Sequence, residues 1–590
     1  MRKIFYSIFA ITIICSYSCI DSLEITPDGR ITLNDVWNDP DQTEAYLNTC
    51  YSYQFAEGMC YWWWSFLDSY SDSYYDSSVV LGVASTNWYN GAMTTSYDPL
   101  ARGIDSWQPW NGYMFPQYWE AIRHVNTFLE HIDKAAVDSE AKRARMKAEA
   151  IVLRNFYYFE LCRKYGPLPF FSKPLPFDID LSTLERPTTF QQVADSIAYD
   201  LDKVINVPEL PWRITVSSER GRFTKAMAVT LKSRAQLYAA SPLYNPSNNI
   251  DHWRKALEYS EDAVKLLTTN GYELYYSQAL GEASYEKYFL LMMDASLDPT
   301  DKETIMENSS NLPMFNGQVS FLNGFPSRDD NGQAGACPTQ ELVDAFDMQS
   351  TGLPVINPAN RYQDDDHLQP NYVTGSGYDP TNPYVGRDPR FYASILYNGA
   401  YVPGPGLTVN SYEGGPDAIR YDNRYSLTGY YQRKYIDESV PTNIASGGYW
   451  KKMRLAELYL NWAEAENEVN GPTQKVYQIL KVIRDRAHMP NIKSGISDKA
   501  EMRAYIQKER MTELCLEGFR FWDVRRWKIL DQTDKVSTGI FCTRNPTNNT
   551  FNYERFVVGY RHSWQDKFLI FPIPESEISM LGKEWQNPGW

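Results

Sequence analysis

The stretch KAEAIVLRNFYYFELCRKYGPLPFF, residues 147–171, decides how the rest of the chain is read. Ala148, Val152, Phe156, Phe159 and Cys162 follow one another at spacings of four, four, three and three, the period of one helix face. Leu153, Tyr157 and Leu161 make a second apolar stripe beside the first. A helix with one stripe covers a core, whereas two adjacent stripes mean packing on both sides. A stack of helical hairpins needs such a helix, and so does the middle of any helical protein. Gly166 is placed to end the helix in a left-handed cap, and Pro167 and Pro169 forbid its continuation.

Working outward, the same period predicts helices over 41–55, 118–133, 139–165, 190–206, 224–240, 252–268 and 278–294. It returns over 453–470, 473–488 and 498–518, where Leu455, Leu458, Trp462, Ala465 and Val469 form one seam. Paired helices joined by short loops bearing Pro or Gly suggest tetratricopeptide-like hairpins. Between the two helical regions, residues 299–450 are rich in Gly, Pro, Asn and Tyr, with strand-like fragments such as 390–397. A tract this long is either disordered or functional, and its aromatic content argues against disorder. Residues 568–574 read as an apolar strand.

With 590 residues and a net charge of −16, the chain is a poor match for nucleic acid, which calls for clustered Lys and Arg, and for a polybasic membrane surface. Aromatic residues reach 15 %, with 44 Tyr and 17 Trp. That is more than a core calls for, and amphipathic rings suit surfaces that are apolar on one side and wet on the other. Eight Cys are too few for a disulfide scaffold. Cys162 and Cys515 read as buried thiols; Cys50 and Cys60 could pair in an oxidising compartment, though nothing in the sequence requires it.

The N-terminus reads as a leader. Arg2 and Lys3 precede an apolar run over 4–14 that is too short to span a bilayer and suited to a signal peptide. Ser16, Tyr17, Ser18 and Cys19 follow, resembling a bacterial lipobox with Cys19 as the acylated residue; the alternative is an ordinary signal peptide with an incidental Cys. Acylation would anchor the chain at a membrane without inserting it. Asp21 and Glu24 loosely resemble a surface-export signal of Bacteroidetes lipoproteins.

No catalytic constellation stands out. Six His form no HExxH and no ligand-spaced cluster, and GxSxG, P-loop and dinucleotide fingerprints are missing. Asp364, Asp365 and Asp366 lack the alternating ligands of known calcium loops and read as a solvated turn. No metal and no cofactor is called for. The positive signal is residues 61–113, with YWWW (61–64), Asp68, Asp72, Asp76, NWYNG (87–91) and WQPWNGY (107–113). Sugars need flat faces that stack on C–H surfaces and planar polar groups that take paired hydroxyls. Trp88 beside Asn90, Trp107 and Trp110, with Asp68 and Asp72, supply that chemistry and are the candidate ligand-binding residues. Any one of these Trp can equally pack the irregular segment onto the helices.

Taken in order, the helices resemble the SusD/RagB family of outer-membrane nutrient-binding lipoproteins. The opening stretch is similar to that family's signature helix, and FTKAMAVTLKSRAQLYAASP (223–242) to its second. PTQELVDAFDM (338–348), GRDPRFYASILYNG (386–399), GYYQRKYID (429–437), KMRLAELYLNWAEAENEVNG (452–471), RDRAHMP (484–490), ERMTELCLEGFRFWDVRRW (509–527), FLIFPIPESEI (568–578) and NPGW (587–590) follow in fixed order. Residues 61–113 and 294–331 match no fixed pattern, so no binding residue carries over. The resemblance implies a mostly α fold, with four tetratricopeptide-like units as scaffold and large irregular loop-rich insertions shaping the ligand face. It further implies no catalysis and a SusC-like TonB-dependent transporter that the lipoprotein caps as a lid; the ligand expected from the Trp density is a glycan. The expected layout is signal peptide 1–18, tether 19–34, an N-terminal helical half 35–298 holding an aromatic insertion 56–117, an irregular ligand-face region 299–450 and a C-terminal helical segment 451–590. Two alternatives remain open at this level: the same lid role for a peptide, and a surface-anchored glycosidase with two carboxylates facing across a cleft.

Overall fold

The computed structural model describes residues 32–54, 66–77, 79, 84–100, 114–290, 300–307, 326, 334–403, 406–422, 424–436 and 450–590. Its frame is a run of helices: α1 (Pro40–Tyr51), α2 (Met114–His131), α3 (Glu140–Tyr165), α4 (Phe190–Ile205), α5 (Lys225–Ala240) and α6 (Ile250–Thr269). Each packs on the next: α2 on α3, α3 on α4, α4 on α5, α5 on α6. The two-stripe reading of α3 holds, since nearly every residue from Met146 to Tyr165 is buried. Side-chain caps start most of these helices, with Ser139, Thr189 and Thr224 each accepting from the backbone N–H three residues on.

The third hairpin is closed from a distance. α6 packs on α7 (Leu455–Asn470), with residues 270–454 intervening. Leu237 and Ala240 of α5, Trp253 and Ala256 of α6, and Ala465 of α7 share one apolar cluster. α8 (Gln474–Arg486) and α9 (Lys499–Glu513) both pack on α7. The irregular tract is thus an insertion inside one hairpin of the stack.

Together with residues such as Phe66 and Tyr74, that insertion builds a core separate from the helical one and dominated by rings, among them Tyr285, Tyr288, Phe289, Tyr431 and Trp450. Several Tyr are spent here, some with their hydroxyls satisfied internally: Tyr285 donates to the Glu513 carbonyl at 2.8 Å and Tyr430 to Gln340 Oε1 at 2.6 Å. Two short antiparallel pairs tie insertion to frame. β1 (Tyr74–Asp76) pairs with β3 (Ala336–Pro338), and β2 (Thr304–Glu307) with β4 (Lys451–Arg454), which leads directly into α7.

Several sequence expectations are corrected. The helix expected to start at 278 begins only at Ser284, because Gly281 takes φ +53° and a 3-10 turn precedes it; residues 291–294 lie outside the described residues. The helix expected to run to 518 stops at Glu513; Leu516 and Gly518 adopt positive φ, and the chain restarts as α10 (Phe519–Arg526). Residues 389–394 form a helix capped by Asp388 rather than a strand, followed by a two-residue strand, Ile395–Leu396. Residues 568–574 pair with no strand; a 3-10 turn at Asp566–Leu569 leads into an extended run that buries Phe571 and Ile573. The longest strands, β5 (Val536–Arg544) and β6 (Phe551–Tyr560), form a hairpin that the weak alternation of their residues did not announce. Gly166 ends α3 with φ +79° and ψ −172°, a conformation essentially reserved for glycine but not the left-handed helical one expected. There Arg186 donates to the carbonyls of Tyr165 and Trp585 and to Asn587 Oδ1, and Asn587 Nδ2 donates back to the Tyr165 carbonyl.

Candidate ligand face

The described residues that border four of the remaining tracts meet in one place. Phe66 follows 55–65, Phe289 precedes 291–299, Glu307 precedes 308–325, and Tyr435 and Trp450 flank 437–449. Trp450 stacks on Phe66 at 5.5 Å and on Tyr435 at 4.4 Å, while Phe289 meets Tyr435 edge-on at 5.2 Å. Glu307 pairs with Lys451, the residue after Trp450. All four rings are buried, so they form a pedestal rather than a contact surface.

The pedestal stands on buried charge. Arg454 binds Glu517 at 2.6 Å and both Glu303 and Glu513 at 2.7 Å; Arg390 binds Asp388 and Glu509 at 2.7 Å and Glu513 at 2.9 Å. Arg484 joins Asp347 to Glu509, Arg486 joins Glu303 to Glu513, Lys434 meets Glu517 at 2.8 Å, and Lys508 meets Asp347. Six cations therefore face six carboxylates, which makes the lattice neutral and lets it exist away from water. Burial alone would raise the Glu509 carboxyl, but Arg390, Arg484 and Lys508 outweigh it and bring it down to about 2. Glu513 lies lower still, for the same reason, through Arg486, Arg454 and Arg390. Glu509, Glu513 and Glu517 recur at a spacing of four, the visible signal in the sequence; that they meet Arg390, Arg454, Arg484 and Arg486 was not foreseen.

The residues singled out from sequence are scattered. Trp88 is wholly buried among Tyr70, Phe521, Phe568 and Phe571, all within 5.8 Å, so it has no face to offer a ligand; here the packing reading wins over the binding one. Asn90, two residues on, is exposed. Asp68 is buried and accepts from the Gly518 N–H at 2.7 Å; burial pushes its carboxyl up to about 7. Asp72 is buried in a bidentate pair with Arg520, at 2.7 and 2.8 Å, with Arg361 at 3.7 Å. Burial raises its carboxyl, and the arginines override that and hold it below the usual range. Trp107, Trp110, Cys19 and Cys60 lie outside the described residues; Cys50 is buried. Asp364 caps the Leu368 and Gln369 N–H groups and Asp366 accepts from the Tyr560 hydroxyl, so this acidic run is a structured turn. Among the described residues no group of three potential ligands could hold a metal ion, and no helix is long and apolar enough to cross a membrane.

A stack of helical hairpins interrupted by an aromatic insertion defines a class of scaffold, and the comparisons place this chain within it. The profile of the SusD family matches residues 301–590, and that of starch-binding proteins associating with the outer membrane matches residues 38–237. The chain belongs to the SusD/RagB family. It is 23 % identical over 537 residues to SusD-like protein P38 of Formosa agariphila, covering 86 % of this chain and 88 % of that one, and 22 % identical to P25 of the same organism, covering 70 % and 69 %. Among solved structures, a SusD-like protein from Bacteroides fragilis superposes with a TM-score of 0.73 at 27 % identity, covering 95 % of this chain and 99 % of that one. A SusD-like carbohydrate-binding protein from the same species shares the fold at 22 % identity, with a TM-score of 0.67 and coverage of 92 % and 99 %.

Proposed function

We propose that this protein is a lipid-anchored, cell-surface glycan-binding protein. It captures oligosaccharide or polysaccharide and passes it to a SusC-like TonB-dependent transporter without chemistry of its own. The observation that carries this reading is the convergence of Phe66, Phe289, Tyr435 and Trp450, drawn from distant parts of the chain, on a single buried pedestal, which suits one ligand face above it. Three of the bordering tracts, 55–65, 291–299 and 308–325, overlap the segments that match no fixed family pattern, which is where ligand choice is expected to reside. The matched family profiles and the acidic, aromatic composition fit the same reading. Cys19 is the proposed acylation site and the outer membrane the proposed location. Asn90, Trp107 and Trp110 remain the proposed contacts; Trp88 and Asp68 do not, since both are sealed inside.

A few stacking rings on an open face give modest affinity, because ordering offsets much of the gain, so binding is expected in the micromolar to millimolar range, on the order of −4 to −8 kcal/mol. The test is affinity electrophoresis of the purified protein in gels containing neutral polysaccharides, alongside Trp107→Ala/Trp110→Ala. Retardation of the parent and free migration of the variant are expected. Equal retardation of both would remove these residues from the site, and turnover of any polymer by the pure protein would overturn the non-catalytic reading.

A further inference from the structure

Away from the pedestal, a polar cleft runs beside α9. One cavity of about 400–500 Å³ (450 Å³) lies between the 356–367 loop of the insertion and the 529–535 segment after α10, with Asp72 and Arg520 in its wall. A second, of 710 Å³, lies against Trp253, Trp527 and the start of α9. The two adjoin: Pro358, Ala359, Ala504, Gln507, Ile529 and Gln532 line both. Each is of the size range that holds a small ligand, and together they exceed it.

The chemistry of the walls is selective. The ionic groups at the back are already matched, as in Asp72 with Arg520 and Asp344 with Arg555 at 2.6 Å. In front of them, the side chains of Gln507, Gln532, Asp365 and Asp531 make no hydrogen bond or ion pair among the described residues. Planar amides and carboxylates left free in this way can take the paired hydroxyls of a sugar. Rings line both cavities and are held in place: Trp527 donates to Glu464 at 2.8 Å, Trp253 donates to Asn248 at 3.1 Å, and Tyr362 stacks on His367 at 4.1 Å. Across the two cavities nine carboxylates face six lysines and arginines, a balance that repels polyanions. A peptide would look for an open strand edge or side-chain pockets, and this lining is helix and loop with free amides instead.

We propose that this cleft is a second glycan site, taking a stretch of a neutral polysaccharide whose other part is held at the pedestal face. It rests on the glycan reading above. Two sites on one polymer raise its retention without stronger contacts at either, because the second contact is made at high effective concentration.

The test uses Gln507→Ala/Gln532→Ala, both in the wall shared by the two cavities and neither in the core. The parent and this variant are compared by affinity electrophoresis in amylopectin, xylan, laminarin and alginate, and by calorimetry with a short oligosaccharide of whichever neutral polymer retards the parent. The expected result is about tenfold weaker retention of the neutral polymer by the variant. Binding of the short oligosaccharide, and the melting temperature, should be unchanged. Equal retention by parent and variant overturns the second site and leaves the glycan reading standing. Loss of the short oligosaccharide as well would make the cleft the primary site and overturns the inference in that form. A cleft-dependent preference for alginate overturns the neutral class. Retardation of the parent by none of the four overturns the inference together with the reading it rests on.

Discussion

The two halves of the interior are built by opposite means. Around α3 and α5 the core is mainly apolar, with single buried pairs such as Arg154–Asp200 and Arg234–Glu457, and is assembled by helices that are neighbours in sequence and rely on stripes such as Val152, Phe156 and Phe159. Around α9 the interior is held by arginine and glutamate drawn from Glu303, Asp388, Arg454, Arg484 and Glu513, far apart in the chain. An apolar core tolerates small shifts, since dispersion and burial have no direction. A lattice of paired charges does not, because each partner is needed at one place. The directional half lies under the pedestal, and the forgiving half is the repeat scaffold.

The contrast can be broken at its strongest point. Glu513→Ala leaves Arg390, Arg454 and Arg486 short of a counter-charge and should remove about 5 kcal/mol of stability, measured by urea unfolding. A loss under about 1 kcal/mol would mean the lattice is not what holds this half together. In the apolar half, Trp88→Ala should remove about 3–4 kcal/mol by leaving a cavity among Phe521, Phe568 and Phe571. If Trp88→Ala abolishes glycan retention with stability intact, the burial argument for this residue is wrong.

Acid separates the halves more gently. Glu509 is held near 2 in the fold against an ordinary value of 4.5, so its contribution is fully present above pH 4.5 and is lost as pH falls toward 2. Unfolding midpoints should therefore drop steeply over that window, and Glu509→Gln should flatten the slope. Asp68 works in the other direction. Its carboxyl is raised to about 7, so the folded state holds a proton that the unfolded chain releases near 3.8. That stability is present at low pH and is lost as pH rises through 7. Asp68→Asn keeps the acceptor for the Gly518 N–H and should abolish the decline between about pH 4 and 7; an unchanged profile would place the titration elsewhere.

The apolar half was legible in the sequence because helix periodicity is a local signal, and α3 to α6 lie within two residues of their expected bounds. The charged half was legible only as motifs. RDRAHMP and ERMTELCLEGF could be quoted in order, but their reason is a set of pairs between distant residues, which no single stretch contains. Trp88 misled because composition does not say which side of a loop a ring faces; its neighbours Phe568 and Phe571 come almost from the chain's end. The 536–560 hairpin was missed because its outer strand is half-exposed along most of its length, leaving little alternation to detect.

The clasp at the end of α3 sets a timetable. Arg186 and the Tyr165 carbonyl are completed by Asn587, which follows them by 401 and 422 residues. α6 likewise waits for α7, with residues 270–454 made in between. Contacts that span most of a chain form late and slowly. While the protein is being made, its early hairpins must persist unfinished until those distant segments arrive; a chain stopped before Asn587 would lose the fastening of a helix that was made first.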